Sequence, residues 1–146
     1  MHIAVQDAPF DFGMEAEEFA RARAVSGAIV TFTGIVRDVD GGLRAMEIEH
    51  YPGMTEAALT EIADQAVTRW SLEDALVIHR HGRLAVGEMI MMVATAARHR
   101  KDAFEAAEFL MDYLKSRAPF WKREITQDGA EWVAARDEDE DALTRW

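Results

Sequence analysis

Met111-Asp112-Tyr113-Leu114-Lys115-Ser116-Arg117-Ala118-Pro119-Phe120-Trp121-Lys122-Arg123-Glu124 runs from a helix, through a proline corner, into a strand. Upstream, Ala103, Phe104, Ala107, Leu110, Met111 and Leu114 recur at helical spacing and predict one buried stripe. Asp102 with Glu105 three residues on resembles a capping box and marks the start. Pro119 has no amide proton and a locked φ, so the helix stops before it. Beyond the corner, Phe120 to Thr126 and Glu131 to Ala135 predict a hairpin across Gln127-Asp128-Gly129-Ala130.

Working outward, residues 2–6 read as a short strand and Gly13 to Ala24 as a polar helix. Ala28 to Arg37 is dense in β-branched residues and predicts a strand, with Gly34 marking a bulge or a close backbone approach. After a turn at Asp38 to Gly42, Leu43 to Tyr51 is expected to pair antiparallel with that strand. Pro52-Gly53 breaks it and Thr55 is placed to cap a helix. Leu59, Ile62, Ala63, Ala66, Val67 and Trp70 form that helix's buried face. Ala75 to Leu84 and Glu88 to Ala96 predict two more strands joined across Ala85-Val86-Gly87. The acidic run Asp137 to Asp141 begins a short exposed helix. Strands beside strands, with helices inserted, imply an α+β fold with antiparallel sheets, and residues 1–146 read as one domain.

Composition narrows the function. A net charge of −11 argues against general affinity for nucleic acid or anionic membranes. The charge is uneven, because Arg98 to Arg123 holds seven Lys/Arg against four acids. A basic island in an acidic chain fits a local anion site, and ordinary scatter of helix charges fits equally. The absence of cysteine removes disulfides, thiolate metal sites and a cysteine nucleophile. No apolar run reaches the ~18 residues of a membrane helix, and the first residues do not read as a signal peptide, so a cytoplasmic protein is expected.

Lys115 ends its helix at the margin of the buried stripe, and Lys122 follows the Pro-Phe-Trp corner. On a strand Lys122 shares a face with Phe120 and Glu124, while Trp121 and Arg123 face the other way. Two lysines on one pocket wall lower each other's proton affinity, which suits a base or nucleophile. A lysine near a helix C-terminus also simply meets the dipole, so spacing alone leaves both roles open. His99 and Arg100 precede the same helix, where free N–H groups favour an anion, and Arg37 adds a planar fork for phosphate. Lys115 lies roughly 20 Å from that helix start at 1.5 Å per residue. A symmetric dimer in which each pocket borrows the 99–100 end of its neighbour resolves the distance. His79 and His81 share a strand face, and with no third ligand of known position they read as structural or surface histidines. No motif asks for a metal or cofactor.

Thr31-Phe32-Thr33-Gly34-Ile35-Val36-Arg37, Glu49-His50-Tyr51-Pro52-Gly53-Met54-Thr55, His79-Arg80-His81-Gly82 and the opening stretch together resemble the molybdopterin synthase catalytic (large) subunit family. The likeness runs from about Ala28 to Trp146. It implies an α/β hammerhead fold with a small subdomain and a homodimer at the core of a heterotetramer. A small ubiquitin-like sulfur-carrier subunit would dock at each end and thread in its C-terminal Gly-Gly thiocarboxylate. The implied reaction is sulfur transfer, converting cyclic pyranopterin monophosphate to molybdopterin. Carried over, Lys115 and Lys122 are the catalytic lysines, and Arg37, His99, Arg100, Arg123 and Glu124 belong to the substrate pocket with them. Ile35 and Val36 also line it in the family, where one of these two positions is often lysine. A chain without cysteine suits an enzyme whose partner brings the sulfur. The rival expectation is a non-catalytic docking scaffold with a basic anion-binding pocket.

Overall fold

A computed structural model describes residues 1–40, 42–133 and 137–146. The elements are β1 (His2–Gln6), α1 (Phe12–Ala20), β2 (Ala28–Ile35), β3 (Leu43–His50), α2 (Met54–Trp70), β4 (Asp74–Arg80), β5 (Gly82–Leu84), β6 (Met89–Ala97), α3 (Arg100–Ser116), β7 (Phe120–Thr126), β8 (Gly129–Trp132) and α4 (Asp137–Ala142), followed by a short 3-10 turn. They build two four-stranded sheets, ordered β1-β4-β6-β2 and β5-β3-β7-β8. Every pair is antiparallel except β1 on β4. The expected α+β class with antiparallel sheets holds.

The first sheet is covered on both faces, so its central strands are apolar throughout rather than alternating. Val77 and Val93 face Leu59, Ala63, Phe109 and Leu110 of α2 and α3. Ile78 and Met92 face the other way, toward Phe19 of α1. Leu43, Ile48 and Leu84 extend the larger core into the second sheet. Among the described residues, no helix is long and apolar enough to cross a membrane.

Several sequence expectations change. The 28–37 and 43–51 segments do not pair: β2 lies on β6, and β3 lies between β5 and β7. The buried Val36 is held to the β6 side, donating its N–H to the Glu88 carbonyl and accepting from Gly87 N–H. Asp38 Oδ1 then accepts from both Val39 and Leu43 N–H, turning the chain into the other sheet. The bulge at Gly34 is present, as a register shift between Gly34 and Ile35. The 75–84 segment is two strands in different sheets, broken at His81, and Gly82 at φ +93° makes the change of direction.

Helix ends differ as well. The first helix stops at Ala20 because Arg21 is extended and Ala22 is left-handed. Thr55 is not a cap but a buried tie: its hydroxyl accepts from Tyr51 N–H and donates to the Pro119 carbonyl. The 102/105 capping box is absent: α3 begins at Arg100, and Glu105 accepts from Trp70 Nε1 at 2.9 Å. Phe104 is 62% exposed, while Ala106 and Phe109 are buried, because α3 packs on α2 as well as on the sheet. Ala134 and Ala135, placed by sequence in the last strand, lie outside the described residues.

Candidate functional site

A cavity of about 580 Å³ opens between the two sheets at the C-terminal end of α3. Its walls follow from the corner at Pro119. The helix delivers Met111, Leu114 and Lys115, and the chain then reverses so that β7 presents Phe120 and Lys122 to the same space. The end of β2 lines the cavity too, with Gly34 and Ile35, and Arg37 just beyond it. His79 of β4 and Met91 of β6 contribute as well, and Asp139 reaches in from α4.

Lys115 is exposed, whereas Lys122 is half-buried. Burial first, and then the Lys115 ammonium, push the Lys122 pKa below the ordinary lysine value, with the Asp139 carboxylate acting in the opposite direction. Among the described residues the cavity lining brings together the cationic side chains of Arg37, Lys115 and Lys122, with the Asp139 carboxylate, on walls that mix polar and apolar surface. Such an arrangement is suited to hold an anion and offers an amine able to give or take a proton.

Of the residues singled out by sequence, Ile35, Arg37, Lys115 and Lys122 meet at this cavity. Among the described residues of one chain, Val36, His99, Arg100, Arg123 and Glu124 do not line it. Val36 is buried below the wall. His99 and Arg100 are exposed at the far end of α3, on the order of 20 Å from Lys115 along the helix axis. Arg123 points to the other face of its sheet, bonded to Glu47 across the β3–β7 pair and lying 5.4 Å from the Trp132 ring centre. That guanidinium bond holds the Glu47 carboxyl below its ordinary pKa against the effect of burial.

Sequence reasoning missed His79 and Asp139. His79 is 5% exposed and stacks on Phe120 with ring centres 3.7 Å apart. Alternation along β4, with Ala75 and Val77 on the helix side, could have placed it there. Asp139 gave no signal, since the run around it reads as a solvated helix.

The fold and this cavity define a two-sheet α+β protein with a cleft that brings two lysines and an arginine together. A family model described as "MoaE protein" matches residues 5–117. The chain is 68% identical over 146 residues to the molybdopterin synthase catalytic subunit of Cereibacter sphaeroides, with 100% of each covered. It is similar to the solved molybdopterin biosynthesis MoaE protein from Burkholderia ambifaria, at 50% identity and TM-score 0.85, covering 99% of this chain and 97% of that one. The molybdopterin synthase structure from Staphylococcus aureus is similar at 31% identity and TM-score 0.83, covering 90% and 96%. The chain belongs to the MoaE protein family.

Proposed function

We propose that this chain is the catalytic subunit of a molybdopterin synthase, its residues 1–146 forming one catalytic domain. The observation that carries the reading is the meeting of Lys115, Lys122 and Arg37 at one cavity in a member of this family. The enzyme acts as a sulfurtransferase in the cytoplasm. Cyclic pyranopterin monophosphate enters with its phosphate toward Arg37, and a small carrier subunit delivers sulfur as a C-terminal Gly-Gly thiocarboxylate. The chain has no cysteine, which agrees with sulfur arriving from outside.

Lys115 and Lys122 stabilise the charge that develops as the thiocarboxylate sulfur displaces an oxygen substituent of the pterin side chain. Water then cleaves the acyl carbon–sulfur bond, the carrier leaves as its carboxylate, and the lysines move the protons both steps require. The substrate site takes Ile35 and Arg37, with the two lysines, from one chain and His99 and Arg100 from a second copy, while Val36, Arg123 and Glu124 stand outside the cavity and support its walls. That division makes the homodimer the core of a heterotetramer with two carriers.

Reconstitution tests the reading. The chain, a thiocarboxylated carrier and the pterin monophosphate should together give a dithiolene product, measurable by oxidation to a fluorescent derivative. Binding of the carrier with no product formed would instead support a docking scaffold and sink the proposal.

A further inference from the structure

The cations of the cavity only donate hydrogen bonds, so they recognise an anion and leave the rest of a ligand unread. His79 supplies what they lack. Its Nδ1 lies 2.8 Å from the Arg80 carbonyl. A carbonyl only accepts, so Nδ1 carries the proton and Nε2 carries the lone pair. The stack on Phe120 fixes the plane of the ring. Among the described residues Nε2 has no hydrogen-bond partner, although the residue is more than nine-tenths buried and lines the cavity.

We propose that His79 is a further ligand-binding residue, its Nε2 accepting a hydrogen bond from a ring N–H of the anionic substrate. The cleft then selects a molecule carrying both an anion and an N–H donor on a flat heterocycle, and discriminates against a bare phosphate ester. The groups around this cleft are Lys122 on β7, Lys115 on α3, Arg37 beyond β2 and Asp139 on α4. His50 and His81, stacked at 4.0 Å, add to the repulsion of a second proton on His79. Burial and these neighbours lower its pKa to about 3, so the lone pair stays available at neutral pH. The identity of the ligand rests on the function proposed above; the tautomer and the placement do not.

Calorimetric titration of the purified chain with two probes, cyclic pyranopterin monophosphate and inorganic phosphate, tests this. His79→Phe keeps an aromatic ring on Phe120 and removes the acceptor. His79→Asn, the alternative where the phenylalanine variant does not fold, keeps a donor for the Arg80 carbonyl without reaching the cavity. His79→Gln restores an acceptor near the Nε2 position. Affinity for the pterin phosphate should fall about tenfold in the first two and recover in the third, with inorganic phosphate changed by less than about twofold throughout. Equal pterin-phosphate binding by all four proteins, or parallel loss of both probes, overturns the role of His79. A wild-type chain that binds phosphate but not the pterin phosphate overturns the functional reading and, with it, this choice of ligand.

Discussion

Lys122 on β7 and Lys115 at the end of α3 reach one cavity from elements that meet at Pro119, the first half-buried and the second exposed. Burial and its neighbour make Lys122 the group whose proton affinity is lowered. The two lysines therefore sit in different electrostatic environments. Replacing either with alanine should lower turnover about 100-fold or more, the scale of a lost transition-state group. Lys101, 80% exposed on the same helix, should tolerate alanine. Steady-state turnover of the reconstituted enzyme checks this, and near-normal activity in Lys115→Ala would remove Lys115 from the chemistry.

The desolvation of Lys122 should also show in stability. Its folded-state pKa lies below the unfolded one. Between those two values the unfolded chain binds more protons, so stability rises with pH until the ordinary lysine value is passed. Lys122→Met removes the effect and should stabilise the chain at pH 7 by about 0.5–2 kcal/mol while abolishing activity. Urea unfolding of the two proteins measures it. A less stable methionine variant would mean that the ammonium is well compensated.

The two ends of α3 test the shared pocket. Arg100 opens the helix and Lys115 lies one residue before its end. If two copies each contribute one end, mixing Arg100→Ala chains with Lys115→Ala chains restores activity, since one pocket of the heterodimer carries neither lesion. A mixture as inactive as its parents, after proven subunit exchange, would confine the site to one chain.

His79 should make the chain sensitive to acid. Its pKa is lowered to about 3, against 6.5 for an ordinary histidine. Between these values the unfolded state takes up a proton that the folded state refuses, so stability falls as pH drops through that window. The slope is at most about 1.4 kcal/mol per pH unit. Urea midpoints at pH 7 and pH 5 should differ more in the wild type than in His79→Gln. Identical differences would assign the acid loss to other groups.

Gly27 tests the approach of β2 to β6. Its N–H donates to the Ala97 carbonyl, and a Cβ at this position would sit 2.6 Å from the Arg98 carbonyl oxygen. Gly27→Ala must push two backbones apart and should cost about 1–3 kcal/mol. Thermal melting that leaves the variant unchanged would show that the junction is slack.

What could be read in advance was local. The stripe from Leu59 to Trp70, the stop at Pro119 and the turn after Thr126 depend on neighbours within about one helical turn or hairpin, whose geometry repeats in any fold. The site lysines were legible because Lys115 and Lys122 flank one corner within a motif that resembles a known family.

Strand partnership was not local. β2 had two possible neighbours, and the segment that follows it in sequence lost to β6, whose two-sided burial removes more apolar surface from water. The same limit hid His79. It lines the cavity stacked on Phe120 of β7, more than forty residues away, with Nδ1 held at the Arg80 carbonyl. By itself the sequence determined which residues carry charge, the buried stripe of α2, the stop before Pro119, the turn after Thr126 and that no thiol is present, since these depend on side-chain chemistry and short-range backbone sterics. Only the tertiary structure decided which strands pair, which lysine is desolvated and which histidine nitrogen is left unpartnered, because burial and Coulomb energy depend on distances between groups that the chain order leaves free.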